Sequence, residues 1–310
     1  MGRNPPIKQP NRCKGDVMSE SKILVTGATG KTGKDTVKFL LERGQAVRAM
    51  VRTNDDRSEA LRKQGAEIVL GDLRNFESVR AALEGTRSAY FVFPIQPGIL
   101  EATAYFAQAA KEAGVQAIVN MSQASARREA TSHAAQNHWL SERVFDWSGV
   151  PTVHLRSTLF AEWVLYWRGF IKAAGILPLP FTKGRVALVA AEDQARVIAN
   201  ILIAPADHVG KIYPLVGAKE YTFPEIAEEI SHVIGKPVRY QLTDAPTLAK
   251  LAKENGTHLG EFFWQHLNEI AIDFQNGIFA GTNDLVEKIG GQPPIRLPAF
   301  IAKHRAELIA

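Results

Sequence analysis

Short apolar segments alternate with amphipathic ones over the first half of the chain. Residues 22–26 are apolar and β-branched and lead directly into a glycine-rich turn, which predicts a strand, a tight turn and a helix. Because parallel strands need helical crossovers, the alternation predicts an α/β fold with a doubly wound parallel sheet and ligands beyond the carboxyl ends of its strands. The further strands are predicted over residues 46–51, 67–70, 88–93, 117–121 and 152–155.

The pattern changes after residue 156, where longer helices, prolines and scattered short strands follow. Thr222-Phe-Pro-Glu225 is a capping box with proline in the first turn, and it predicts the start of an amphipathic helix. Asn75 is a residue type that favours the N-cap position, so it predicts the start of another helix. We therefore expect a smaller α+β C-terminal lobe over residues 157–310, with some of its segments returning to the sheet.

Composition narrows the class of protein. Of the net charge of +5, three units fall in residues 1–18, which leaves a body too weakly basic for a nucleic-acid footprint. We predict a disordered basic tail over residues 1–20 and no nucleic-acid partner. No apolar run approaches the ~18 residues of a membrane span, and the single cysteine, Cys13, fits a reducing compartment, so a cytoplasmic protein without a membrane partner is expected.

Three glycines with the spacing Gly-x-x-Gly-x-x-Gly lie between the first predicted strand and helix. The first allows a tight turn, the second lets the backbone approach phosphate oxygens, and the third lets the helix pack against the sheet. This context predicts a dinucleotide site on a Rossmann-type sheet. The cofactor-binding residues predicted in this loop are Gly27, Thr29, Gly30, Lys31, Thr32 and Gly33.

The type of dinucleotide is indicated at the end of the second strand. Arg52 stands where NAD-selective folds usually place an acid for the ribose 2′-hydroxyl, and an arginine there favours a 2′-phosphate. Lys31 adds a second positive charge, so NADP(H) is preferred over NAD(H). A strand-end arginine extending to solvent and a solvated lysine remain the alternatives. Residues 21–156 are thus predicted to be the NADP-binding domain and residues 157–310 the substrate-binding lobe.

Four stretches together resemble the NmrA-like group of atypical short-chain dehydrogenases/reductases. They are Val25-Thr-Gly-Ala-Thr-Gly-Lys-Thr-Gly33, Val51-Arg52, Gly71-Asp-Leu73 and Ser148-Gly-Val-Pro-Thr-Val-His-Leu-Arg156. The resemblance extends through residues 193–203 and 217–240. It implies that Asp72, with Leu73 beside it, contacts the adenine and that Phe93 and Pro94 lie against the cofactor. A helix-flanking cap is the alternative role for Asp72.

The chain departs from the short-chain reductase pattern at the catalytic pair. Ser122 occupies the expected serine position, but no Tyr-x-x-x-Lys follows between residues 122 and 150. His138 holds the position where many NmrA-like relatives carry lysine, and His138-x-x-x-Glu142 resembles the quinone-reductase and triphenylmethane-reductase branch. We predict that Ser122 and His138 contact the cofactor and take part in catalysis, with His138 donating a proton near neutrality. A polar His138 without catalytic duty and a merely small Ser122 are the alternatives.

Two further groups of side chains are candidates for a site. Among His133, His138 and Glu142, a His and a Glu at i and i+4 share a helix face, but no third ligand follows at usable spacing, so we expect no metal. The aromatic set after the sixth strand is either core or one wall of a flat substrate pocket. Its predicted pocket residues are Phe160, Trp163 and Trp167.

Two functions are consistent with these residues. The first is an NADPH-dependent reductase that transfers hydride to a quinone-like or other conjugated small molecule. The second is a non-catalytic NADP(H)-binding redox sensor that acts through a regulatory protein partner. A homodimer is compatible with either function.

Overall fold

A seven-stranded parallel sheet with helices on both faces forms the larger part of the molecule. The computed structural model describes residues 21–254 and 259–309. The strands are β1 Lys22–Val25, β2 Val47–Val51, β3 Glu67–Leu70, β4 Thr86–Phe91, β5 Ala117–Gln123, β6 Thr152–Ser157, β7 Ile176–Leu179, β8 Ile212–Leu215 and β9 Arg239–Leu242.

The helices connect these strands and build the C-terminal region. They are α1 Lys31–Glu42, α2 Asp56–Lys63, α3 Phe76–Leu83, α4 Ile99–Glu112, α5 His133–Ser148, α6 Trp163–Tyr166, α7 Arg168–Ala174, α8 Ala191–Ile203, α9 Phe223–Ile234, α10 Ala245–Glu254, α11 Glu261–Gln275, α12 Leu285–Gly290, α13 Leu297–Lys303 and α14 Arg305–Ile309. None of the described helices is long and apolar enough to cross a bilayer.

The strand order in the sheet is β3-β2-β1-β4-β5-β6-β8, and every pairing in it is parallel. The chain first runs outwards from β1 to β3 and then returns to build the other half from β4. The order therefore reverses between β1 and β4, and a crevice opens there beyond the carboxyl ends of the strands. The predicted Rossmann-type α/β fold is confirmed.

Both faces of the sheet are buried, which explains the continuous apolar runs of its strands. In β1, Ile23 and Val25 pack in the layer that contains α1 and α8. Leu24, between them, packs in the opposite layer beside Phe106 of α4 and Phe145 of α5. The alternation of side chains along one strand thus supplies two cores at once.

The C-terminal region has its own core. β7 and β9 form a separate two-stranded parallel sheet. Beside it the ring of Phe274 on α11 lies 4.4 Å from that of Phe181 and 4.2 Å from that of Phe279. The predicted capping box starts α9: Thr222 Oγ1 accepts a hydrogen bond from Glu225 N, and the Glu225 carboxylate accepts one from Thr222 N.

Several predicted boundaries shift. The fourth strand covers residues 86–91 rather than 88–93, and the fifth continues to Gln123. Helix α5 begins at His133, because Ser132 caps it by accepting a hydrogen bond from Ala135 N at 3.1 Å. Asn75 caps α3 as predicted.

The division of the chain at residue 156 stays a prediction. Residues beyond it take part in the main sheet: β8 pairs with β6, and α8 packs in the same layer as α1. The predicted tail over residues 1–20 lies outside the described residues.

Candidate active site

A cavity of about 1100 Å³ opens beyond the carboxyl ends of β1 to β6. Helices α6, α7 and α11 close its opposite side. The predicted site residues that line it are Gly27, Thr29, Gly30, Lys31, Thr32, Arg52, Asp72, Leu73, Phe93, Pro94, Ser122, His138, Phe160, Trp163 and Trp167. Gly33 is the predicted site residue that does not line it.

The glycine turn between β1 and α1 is built by close backbone contacts. Gly27 has a φ of +55°, a left-handed conformation that favours glycine. Its carbonyl oxygen accepts a hydrogen bond from Gly30 N at 2.8 Å. A Cβ on Gly33 would lie only 2.2 Å from that same oxygen. Gly33 therefore sits behind the turn and lets α1 pack directly against it.

The N-terminus of α1 has no side-chain cap among the described residues. The N-cap residue is Gly30, which has no side chain that could accept a hydrogen bond from the first turn of the helix, and the first turn holds no acidic residue. The first-turn N–H groups of a helix have no intrahelical acceptor, and together with the helix dipole they favour an anion. Thr32 also shares a 2.8 Å hydrogen bond with the hydroxyl of buried Tyr90, whose pKa is raised by burial. This turn suits a pyrophosphate.

Lys31 contacts an aromatic ring on the other side of the cavity. Its ammonium nitrogen lies 4.9 Å from the centre of the Tyr166 ring, within the range of a cation–π contact. The contact joins the glycine turn to α6 on the opposite side of the cavity. Lys31 therefore lies between the two walls.

Three arginines surround the part of the cavity next to β2 and β3. Arg52 follows β2, is exposed, and has no side-chain partner among the described residues. The guanidinium of Arg57 lies 2.5 Å from the carboxylate of Asp55, and the guanidinium of Arg74 lies 3.7 Å from the carboxylate of Asp72. Arg57 and Arg74 were not predicted, because nothing in their local sequence distinguishes them from ordinary surface arginines.

Asp72 does not cap α3. Asn75 does so by accepting a hydrogen bond from Ser78 N at 2.9 Å. The carboxylate of Asp72 instead accepts a bond from Arg74 N at 2.8 Å, while its backbone N–H donates to the hydroxyl of Ser78 at 3.0 Å. These bonds fix the loop after β3 with the Asp72 carboxylate half-exposed at the cavity.

Ser122 is tied to a buried ion pair. Its hydroxyl donates to Glu142 Oε1 at 2.6 Å, and Arg156 on β6 donates two further bonds, at 2.9 and 2.6 Å, to the same carboxylate. Glu142 is fully buried. Since a hydroxyl has one proton, Ser122 cannot donate to a bound molecule while this bond persists. The serine keeps only its acceptor capacity for the cavity.

The same contacts explain Glu142, which was considered as a metal ligand. Its charge is compensated by Arg156, and this pairing makes burial of the carboxylate tolerable. Within residues 21–254 and 259–309, no group of three or more His, Cys, Asp and Glu side chains is arranged to hold a metal ion.

His138 is buried, and neither of its ring nitrogens has a hydrogen-bond partner among the described residues. Burial, together with the nearby His266, lowers its pKa to about 4, although Glu142 acts in the opposite direction. This low pKa, caused by burial that is not visible in the sequence, argues against His138 as a proton donor near neutrality. A role of His138 in catalysis stays a prediction. At neutral pH the ring is a neutral imidazole that can donate a hydrogen bond but carries no extra proton.

An aromatic wall faces the glycine turn. The rings of Trp163 and Phe263 stack at 6.1 Å with an interplanar angle of 17°. Phe160 and Trp167 line the same cavity, although Trp167 is also buried among the core residues of the C-terminal region. The aromatic set thus contributes both to the core and to one wall of the cavity.

Helix α11 was missed entirely as part of the site. Its residues Phe263, His266 and Ile270 line the cavity at spacings of three and four, which is one face of a helix. His266 is buried, and burial lowers its pKa to about 4. Their spacing is visible in the sequence, but an apolar helix face usually indicates core, so no local signal marked this one as a pocket wall.

Comparison with known proteins agrees with this geometry. Residues 19–275 match the NmrA-like family. Over 288 residues the chain is 30% identical to an NAD(P)H azoreductase of Xenophilus azovorans, an alignment that covers 92% of this chain and 98% of the relative.

Two solved structures have closely similar folds. One is an NADPH-dependent quinone oxidoreductase from Escherichia coli in complex with NADPH, and the other a triphenylmethane reductase of Citrobacter sp. in complex with NADP(H). Each matches with a TM-score of 0.79 and 26% identity, over 91% of this chain and 99% of the other. The predicted resemblance and the prediction of a reductase are confirmed, and the chain belongs to the NmrA-like family.

Proposed function

We propose that the protein is an NADPH-dependent reductase that transfers hydride to a flat conjugated small molecule such as a quinone or an azo compound. The main observation behind this proposal is that the glycine turn and an aromatic wall line the same cavity from opposite sides. The azoreductase and the quinone oxidoreductase named above support it, because both are similar to this chain over nearly its whole length.

The residues present fit a dinucleotide. Uncapped amides at the start of α1 suit the pyrophosphate, and any side chain at Gly30 would approach the Gly27 carbonyl to 3.0 Å at its Cβ. In the proposed complex Asp72 and Leu73 flank the adenine, and Phe93 and Pro94 lie against the cofactor.

The preference for NADP(H) over NAD(H) rests on Arg52. Its guanidinium has no partner among the described residues, whereas those of Arg57 and Arg74 lie near carboxylates. An unpaired guanidinium next to the cavity is suited to bind the 2′-phosphate by charge-assisted hydrogen bonds. Arg57 and Arg74 add positive charge around it.

Bound NADPH supplies the hydride, so that quinone, NADPH and one proton give hydroquinone and NADP⁺. The chain's own groups position the acceptor rather than protonate it. The Ser122 proton is held by Glu142, and buried His138 is neutral at physiological pH. A conjugated acceptor needs little acid assistance, and the remaining proton comes from water.

The redox-sensor alternative has less support. Among the relatives compared above, all three are named as reductases. The sensor would bind NADPH without oxidising it in the presence of any acceptor, so turnover separates the two functions.

The test compares two charge reversals of equal size. Arg52→Glu removes the proposed phosphate contact, and Arg239→Glu changes an exposed residue of β9 that does not line the cavity. A hydrogen bond to a charged group contributes about 1.5–3 kcal/mol, so Arg52→Glu should weaken NADPH binding by roughly 10- to 100-fold. Binding of NADH should stay within about threefold, and Arg239→Glu should change neither.

Calorimetric titrations measure these affinities, and loss of NADPH absorbance with a panel of quinones, azo compounds and dyes measures turnover. Equal weakening of NADPH and NADH by Arg52→Glu would contradict the phosphate contact. Tight NADPH binding by the wild type without oxidation by any acceptor would contradict the reductase.

A further inference from the structure

Helix α11 places a polar group in a wall that is otherwise aromatic and apolar. His266 lies on the face formed with Phe263 and Ile270, and its ring lines the cavity. A hydrogen bond orients the ring, because its Nδ1 lies 2.7 Å from the hydroxyl oxygen of Ser132. Its other nitrogen, Nε2, has no hydrogen-bond partner among the described residues.

The bonds of Ser132 determine which nitrogen of His266 carries the hydrogen. The Ser132 hydroxyl accepts a hydrogen bond from Ala135 N, as the cap of α5. Its own hydrogen has no other acceptor among the described residues, and the side chain is buried, so it donates to Nδ1 of His266. Nδ1 is then the acceptor, and the ring hydrogen of neutral His266 is on Nε2.

The position of this ring is fixed by bonds between the loop before α5 and α11. Thr131 donates to Glu269 at 2.6 Å, and Gln265 both accepts from His133 N and donates to Thr131 O at 3.0 Å. A donor held in this way loses little conformational entropy when a ligand binds.

We propose that Nε2–H of His266 donates a hydrogen bond to a carbonyl oxygen or azo nitrogen of the acceptor and thereby selects acceptors that carry such an atom. This rests on the proposed reductase function and extends it to the choice of substrate. As hydride adds to the conjugated system, negative charge grows on that oxygen or nitrogen. A donor that is already oriented towards this atom stabilises the growing charge without having to reorganise during the reaction.

Two replacements of His266 separate this role from simple space filling. The amide nitrogen of glutamine reaches the position of Nε2, so His266→Gln keeps a donor facing the cavity. The shorter side chain of asparagine reaches only the position of Nδ1, so His266→Asn keeps a polar group near Ser132 and loses that donor. Both variants are neutral and smaller than histidine, and thermal melting checks that each is folded.

The readout is kcat/KM for two acceptors with NADPH. For a quinone, His266→Asn should lower kcat/KM by roughly 10- to 100-fold, the effect of one lost hydrogen bond to a developing charge. His266→Gln should stay within about fivefold of the wild type. For a cationic triphenylmethane dye, which has no carbonyl or azo atom at its reacting carbon, both variants should stay within about threefold.

Equal losses for quinone and dye, or equal losses for the two variants, would overturn the role of His266 while leaving the reductase intact. Wild-type protein that oxidises NADPH with neither acceptor would instead overturn the proposed function, and with it this inference. The dissociation constant of NADPH should be unchanged in both variants, since His266 lies on the wall opposite the glycine turn.

Discussion

The two halves of the cavity are built in different ways. The glycine turn of the cofactor half is local, because the turn and the helix start lie within residues 27–33. The substrate half is assembled from distant segments, and the hydrogen bond between Ser132 and His266 joins residues 134 positions apart. A local turn requires particular residue types at fixed spacing, whereas a pocket wall only requires that surfaces meet. The first is therefore visible in a sequence and the second is not.

Substitutions in the two halves of the cavity should also have different effects. Changes in the cofactor half disturb backbone contacts and should weaken NADPH binding whatever the acceptor. Changes in the substrate half remove side chains and should alter the acceptor alone.

Gly33→Ala should have the largest effect. The new Cβ would lie 2.2 Å from Gly27 O and 2.9 Å from Ala28 Cα, so α1 must move away from the turn. Overpacking against backbone costs about 3 kcal/mol, and we expect at least a hundredfold loss of NADPH affinity together with a lower melting temperature. In Gly260→Ala the added Cβ meets nothing within 4 Å, which makes it the control. NADPH affinity of Gly33→Ala within threefold of the wild type would contradict the close packing.

The two buried histidines that line the cavity should make stability depend on pH. His138 and His266 have folded-state pKa values of about 4, below the ordinary value of 6.5. The unfolded chain then binds more protons between these values, so the free energy of unfolding falls as the pH falls through this range. Between pH 7 and pH 5 the loss is about 2 kcal/mol for each histidine.

Urea unfolding at the two pH values measures this loss. His138→Asn and His266→Asn should each reduce the difference between pH 7 and pH 5, whereas His232→Asn, at an exposed position of α9, should leave it unchanged. A difference that is the same in all three variants would show that these rings do not titrate as described.

Trp163→Ala tests the aromatic wall. Loss of a ring that stacks on Phe263 should raise the KM for a flat acceptor about tenfold, since aromatic contacts contribute about 1 kcal/mol beyond the area they bury. The dissociation constant of NADPH should not change. Trp147→Ala is the control, because that side chain is 74% exposed and does not line the cavity. An equal effect of both substitutions on KM would contradict the wall.

Ser122→Ala should have the smallest effect on catalysis. Its hydroxyl is committed to Glu142, which keeps two bonds from Arg156, so kcat/KM should stay within about threefold while stability falls by about 1 kcal/mol. Ser88→Ala removes a comparable buried bond, to Leu202 O on the far side of the sheet, and should cost similar stability. A hundredfold loss of kcat with unchanged stability would assign Ser122 a direct catalytic role.

The sequence predicted those features that depend on near neighbours. The caps Asn75 and Thr222 form as expected because each bonds to an amide three residues later. The strand-turn-helix at Gly27 was equally predictable, since its shape depends on the glycines themselves. The Rossmann-type sheet followed from the alternation of elements.

Features that depend on distant contacts were missed or misread. The buried ion pair of Glu142 was not predicted, because its partner Arg156 lies on another element. His138 was expected to titrate near neutrality because burial cannot be inferred from its neighbours in the sequence. His266 and Phe263 gave no signal, since their role depends on α11 meeting the loop before α5.

Rapid mixing of the NADPH-loaded protein with a quinone in the absence of oxygen follows hydride transfer itself. We predict that NADPH absorbance falls in a single turnover and that deuterium at the transferred position of NADPH slows the fall. Protein that binds NADPH but leaves its absorbance unchanged with quinone, azo and dye acceptors would contradict the account.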